Sequence, residues 1–199
     1  MKTLGRMACG LMLAVSGVAF GQVAAPVVPP VPLPGSIASH PDWPVAKPED
    51  VKSIDAIVAA VYECISGPAG KAREWERFRS LMLPDGRLMA IREPRGADAK
   101  TAHNDATPMS VDAYVARANT GMVTSGFFER AVANKVESYA NMAEVWSTYE
   151  SRRNKDDAKP FARGINSFQL MKDGDRYWIV QIFWDAERAE TPIPARYLQ

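Results

Sequence analysis

The sequence predicts an α+β domain in which helices pack on one face of a curved antiparallel sheet and leave a conical pocket between the layers. Three observations predict it. Helical periodicities gather in the first half of the folded region. Runs of apolar residues at strand spacing fill the second half. The last two of those runs, within residues 161–184, flank a Lys-Asp-Gly-Asp break. Asp-Gly between such runs is a strong hairpin signal, because the turn needs a positive φ that costs Gly nothing.

The folded part begins near Pro48, well placed as a first helical residue, with Glu49 and Asp50 suited to the helix dipole. Ile54, Ile57, Val58, Val61, Tyr62 and Ile65 recur at helical spacing, and Gly67-Pro68 stops that helix. A second helix covers residues 71–83. Trp75, Phe78 and Met82 share its inner face, Arg73, Glu74, Arg77 and Arg79 face mostly solvent, and Pro84-Asp85-Gly86 ends it. Residues 87–93 read as a strand and 95–108 as a long polar loop containing His103. Ser110 caps a third helix through Val111, Tyr114, Val115 and Ala118. Residues 127–132 form a short strand or turn. Residues 135–152 read as one long strand, bulged near Asn141. In the closing hairpin Trp178, Val180, Ile182 and Trp184 fall on one face and Ile179, Gln181 and Phe183 on the other. Pro192 and Pro194 keep the tail irregular, with Ile193, Tyr197 and Leu198 free to pin it to the domain.

Ahead of this domain the chain has two further segments. Lys2 and Arg6 precede an apolar run, residues 7–20, too short for an ordinary membrane-spanning helix. Ala19-Phe20-Gly21 suits signal-peptidase cleavage, so residues 1–21 read as a signal peptide. The mature protein is then exported, and periplasmic in a Gram-negative cell, with no membrane span. Residues 22–47 are a proline-rich linker and residues 48–199 the domain.

A composition of 47% hydrophobic and 24% charged residues suits one globular core. The 24 basic residues nearly balance the 23 acidic ones, and no basic stripe stands out, which argues against nucleic acid as a partner. Cleavage would leave one cysteine, Cys64, which cannot form an internal disulfide and lies in a helical apolar pattern as a small hydrophobe. There is no metal-ligand spacing, P-loop or dinucleotide glycine pattern, so no cofactor is expected.

The element order, YECISG on the first helix, the strand ending in REP, and the hairpin ending in IVQIFWD together resemble the nuclear transport factor 2-like superfamily. That group includes ketosteroid isomerases, polyketide-cyclase-like proteins and many exported bacterial proteins. AEVWSTYESR, RGINSFQLMKDGDRYWIVQIFWD and PIPARYL look most like its uncharacterised bacterial exported branch. The resemblance spans residues 48–198 and implies a cone-shaped, cystatin-like roll. It implies no single activity, since this fold hosts isomerases, hydrolases, cyclases, binding modules and adaptors. Placed on this chain, the isomerase pattern puts a phenol donor at Tyr62 and the catalytic carboxylate at Glu93, just before Pro94. The second oxyanion donor falls on Ser167, with Asn166 its neighbour if the register slips. Those enzymes carry an acid there, so one acid of the pattern is missing.

Each candidate has two roles. Glu93 is a general base if it faces an apolar cone, and a solvated strand-end acid if it pairs with Arg92 or Arg95. Tyr62 donates to a ligand or to backbone. Tyr149, Trp178 and Trp184 line a pocket or build sheet core. Arg163 binds a ligand carboxylate or pairs with Glu150 or Glu144 across the strands. Two functions from different classes follow, with a third beside them. The domain binds a small, mainly apolar molecule in the cone. It is an isomerase-, dehydratase- or cyclase-type enzyme with Glu93 as base. Or it is a protein-interaction module that pairs into a homodimer through the outer sheet face, if Phe168, Leu170 and Phe183 oppose the Trp178 and Trp184 set.

Overall fold

The computed structural model describes residues 31–92 and 104–199. The signal-peptide reading, the start of the linker, Glu93 and His103 lie outside the described residues.

Six strands form one sheet in the order β2-β1-β6-β5-β4-β3. They are β1 (Met82–Arg92), β2 (Asp105–Ser110), β3 (Phe128–Tyr139), β4 (Met142–Arg152), β5 (Ala162–Asp173) and β6 (Arg176–Ala186). All neighbours are antiparallel except β1 and β6, which run parallel. Among the described residues four α-helices accompany the sheet: α1 (Pro48–Val51), α2 (Ile54–Ile65), α3 (Trp75–Leu81) and α4 (Val111–Ser125). The expected α+β architecture is present, a curved sheet with helices on its concave side.

The first helix of the sequence reading is two helices. Ser53 has extended backbone angles, and its Oγ accepts from Ala56 N at 3.1 Å, so it caps α2 and breaks the run from α1. Ser110 caps α4 in the same way, accepting from Ala113 N at 3.2 Å. The Pro84-Asp85-Gly86 stretch does not end a helix. It lies inside β1, where pairing with β6 skips between Met82 and Arg87. Residues 105–108, read as the end of a loop, belong to β2, which pairs with β1 as an edge strand where Pro108 is tolerated.

The long strand of residues 135–152 is a hairpin. Tyr139 pairs with Met142 around Ala140-Asn141, and Ala140 takes a positive φ of 49°. Asn tolerates such turns and Ala does not favour them, so the turn carries little sequence signal. The closing hairpin forms as expected, with Asp173 paired to Arg176 and Gly174 at φ 56°.

The strict alternation expected in β6 fails at one point. Gln169 faces Gln181, yet Leu170 faces Ile179, so Val180 is an extra residue in a β-bulge. The bulge changes the phase of the strand. Ile179 and Ile182 are both buried in the core, and Val180 is exposed. Phe168 and Leu170 therefore belong to the same core as Ile182 and do not oppose Trp184 across the sheet. A second face built from Phe168 and Leu170 is not present.

The core joins Ile57, Val58, Val61 and Ile65 of α2 to Phe78 and Leu81 of α3 and to Val145, Phe168 and Ile179 of the sheet. Each such side chain contributes about 2 kcal/mol by leaving water. Part of the linker is bound to this body, because Trp43 Nε1 donates to Arg79 O and Met82 O at 3.1 and 3.0 Å. At the other end Tyr197 closes on the outer sheet face. Its carbonyl accepts from Thr148 Oγ1, and its ring lies 5.7 Å from that of Trp146.

Arg73 is not solvated. It is buried, and its guanidinium donates only to backbone carbonyls. Nε reaches Ile65 O at 3.0 Å, and Nη2 reaches Gly67 O and Met122 O, both at 2.6 Å. Nη1 reaches Lys71 O at 2.5 Å. These contacts tie the end of α2, the following loop and α4 together. Arg77 is also half-buried, bonded to Asp50, Glu63 and Glu74. Arg73→Met would strand several buried carbonyls and is expected to cost about 3 kcal/mol in urea denaturation. Arg79→Ala, which removes more exposed pairs to Glu76 and Asp112, is expected to cost less than about 1 kcal/mol.

Candidate functional site

The concave face of the sheet and the helices line a partly open cavity of about 250 Å³. Among the described residues seven of its sixteen lining side chains are aromatic, including Phe78, Tyr114, Phe168 and Trp184. Among the same residues Glu129, near the start of β3, is the one ionisable at neutral pH.

Local structure explains its position. Gly67 and Phe127 exchange backbone hydrogen bonds at 2.7 and 3.0 Å, so β3 enters beside the loop after α2. Gly126 precedes it at φ 69°, where an added Cβ would lie 2.6 Å from Arg153 O. Ser66 Oγ then accepts from Glu129 N at 3.0 Å. With the entry fixed, the pleat turns Phe127, Glu129 and Ala131 toward the core.

The carboxyl is held by neutral donors. Ser151 Oγ donates to Oε2 at 2.6 Å, and Asn166 Nδ2 lies 3.4 Å from Oε1. Asn166 Nδ2 also donates to Tyr62 Oη at 3.1 Å, and Tyr62 Oη is 2.6 Å from Ser147 Oγ. Burial pushes the Glu129 carboxyl up to about 7, against the opposing effect of the bonds from Ser151 and Asn166. Glu129 retains some accessible surface because it opens on the cavity and on a second, open cleft of about 860 Å³ that Tyr62 and Ser66 also line. Protein nonetheless surrounds the carboxyl.

Burial also raises the phenols of Tyr114 and Tyr149, with the Glu129 charge adding to the effect. Neither hydroxyl makes a hydrogen bond within the described residues. Tyr149 lies over Gly164, where a Cβ would meet its hydroxyl at 2.5 Å. No side chain larger than hydrogen fits there without moving that ring.

The sequence candidates divide accordingly. Tyr149 and Trp184 line the cavity, and Tyr62 stands behind Asn166 in the network. Ser167 does not reach it. The pleat places Ser167 on the opposite face from Asn166 and Phe168, and it donates to Glu144 at 2.5 Å. Asn166, the neighbouring register, holds that place. Arg163 pairs with Glu187 at 3.1 Å and approaches Glu150 at 3.7 Å, away from the cavity. Trp178 lies under the Arg176 guanidinium, 3.2 Å from its ring centre, and lines none of the cavity. Glu93 lies outside the described residues. Cys64 is fully buried, and desolvation pushes its thiol up to about 12, as suits a hydrophobe. Among the described residues no three of His, Cys, Asp and Glu gather as a metal would require, and no helix is long and apolar enough to cross a membrane.

Sequence reasoning missed Glu129, Ser151 and Asn166 as a set. A signal for Glu129 exists: in the short strand of residues 127–132, alternation puts an acid between Phe127 and Ala131 on the apolar face.

The unfolded chain ionises Glu129 near 4.5, whereas the fold holds its proton to about 7. Between these values the native state binds more protons, so this group makes stability fall as pH rises through the window. Glu129→Gln removes that titration. The stability of the variant relative to the unmodified protein is expected to rise from about pH 4.5 to about pH 7 and then level off, as read by urea denaturation at several pH values.

No family model and no curated protein matches this chain. Solved structures do. A protein of unknown function with a cystatin-like fold from Nostoc punctiforme aligns with a TM-score of 0.50 at 9% identity, over 68% of this chain and 90% of that one. A chain from Thiobacillus denitrificans, described as a calcium/calmodulin-dependent protein kinase type II association domain, aligns with a TM-score of 0.50 at 13% identity, over 69% and 98%. A function-unknown protein from Mycobacterium tuberculosis aligns with a TM-score of 0.50 at 14% identity, over 71% and 79%. At such identities the likeness shows the fold alone. The chain has a cystatin-like fold.

Proposed function

We propose that this domain binds a small, mainly apolar molecule in its cone cavity, with Glu129 as the polar group that orients it. One observation carries the reading: a carboxyl with no cationic partner among the described residues faces a largely aromatic cavity. Apolar walls with a few convergent polar groups are what a small-molecule site requires. At about 250 Å³ the space suits a compact ligand of roughly one or two rings. The signal-peptide reading adds that the domain does this outside the cytoplasm.

A second reading is an isomerase-, dehydratase- or cyclase-type enzyme. The same residue favours it, because an acid that titrates to about 7 both takes and returns a proton near neutral pH. Glu129 would then fill the role the sequence assigned to Glu93, with Tyr149 and Tyr114 as donors to a substrate oxygen.

Native mass spectrometry of the purified protein, followed by thermal shift with compact aromatic compounds, tests the binding reading. A retained molecule or a saturable shift is expected. Ala162→Trp, which fills the cavity from β5, is expected to abolish it while leaving the far-UV spectrum unchanged. A shift that survives Ala162→Trp would place binding elsewhere and sink the proposal.

A further inference from the structure

The cavity's charges point to a class of ligand. Glu129 has no cationic partner: its donors, Ser151 and Asn166, are neutral. The arginines nearest along the strands, Arg130 and Arg152, both turn to Glu150 instead. On its helix side the carboxyl faces Tyr62 of α2 and Tyr114 of α4, and across the sheet Tyr149 of β4. The adjoining cleft adds Glu63, Lys155, Asp156 and Asp157. None of these places a positive charge against the carboxyl.

An ionised carboxylate largely surrounded by protein is stabilised by a nearby cation or by taking up a proton. Within the described residues the protein supplies no cation there. The walls offer what an organic cation uses. Aromatic faces attract a cation through their quadrupole. Tyr149 is nine-tenths buried, and its hydroxyl has no partner. Tyr114 offers a second such hydroxyl. A primary ammonium has three N–H donors, for which the carboxylate is the charged acceptor, and the phenol oxygens of Tyr114 and Tyr149 border the same cavity. A hard metal ion would find too few oxygen ligands here.

Resting on the binding reading above, we infer that the cavity takes a small organic amine in its protonated form, the ammonium against Glu129 and the apolar body against the aromatic wall. A carboxylate ligand would instead meet a like charge inside. Arg92, Arg117 and Arg153 line a shallower neighbouring cleft that shares Tyr114 and Trp184. All three are exposed, so salt screens their repulsion of an entering cation.

Isothermal titration with benzylammonium, benzyl alcohol and benzoate tests this, since the three share one ring and differ in charge. The buffers are at about pH 6 and about pH 8 in about 0.15 M salt. At the higher pH benzylammonium is expected to bind about tenfold or more tightly than benzyl alcohol. That advantage shrinks at the lower pH, where Glu129 takes up its proton, and disappears in Glu129→Gln. Benzyl alcohol, which carries no charge, is expected to lose far less affinity than benzylammonium in Glu129→Gln. Benzyl alcohol or benzoate binding as tightly as benzylammonium to the unmodified protein at about pH 8 overturns the inference and leaves the apolar-pocket reading standing. Failure of all three to bind the folded protein overturns both.

Discussion

The Arg73 guanidinium sets the geometry on which the site depends. The last turn of α2 and the loop after it end in carbonyls with no helical partner. Arg73 satisfies Ile65, Gly67 and Lys71 at once and reaches across to Met122 of α4. The loop is thereby tied down where Gly67 pairs with Phe127 and Ser66 bonds Glu129. Glu129 enters the cone because the strand carrying it is anchored beside that loop. A charge that looks like helix decoration in the sequence is a buried connector between three elements.

The second constraint is the price of enclosing an acid. A carboxyl among aromatic rings is unfavourable as an anion unless donors compensate. Ser151 and Asn166 compensate in part, and Tyr62 and Ser147 hold Asn166 in place. The result is an intermediate state, with the proton held to about 7 and neither charge state strongly preferred near neutrality. Glutamine would still accept from Asn166, with Ser151 accepting where it now donates, and would lose the titration. The acid is the feature that makes this cavity chemically responsive.

Much of the fold was legible because it rests on local signals. The Asp173-Gly174 turn, the Ser110 cap and the α2 periodicity are each written in a few adjacent residues. The errors share a cause. Whether Arg73 faces water depends on carbonyls up to 49 residues away. Whether Val180 joins the core depends on a bulge that the pairing with β5 creates. The Ala140-Asn141 turn lacks a glycine, so nothing local separated β3 from β4. In the site, Tyr149 and Trp184 were found because aromatic residues on a sheet face are informative by type. Ser167 was one register from Asn166, and a shift of one moves a side chain through the sheet. Glu129 drew no reading from the sequence, because its burial depends on the strands and helices beside it.

The position of Glu129 between two spaces separates two events in time. Its residue lines the aromatic cavity on one side and the open cleft on the other. The proton on its carboxyl therefore has a route to bulk water through the cleft that does not pass through the aromatic cavity. A guest seated against the aromatic wall need not block that route. The charge that an arriving molecule meets is set by the pH outside, before that molecule arrives.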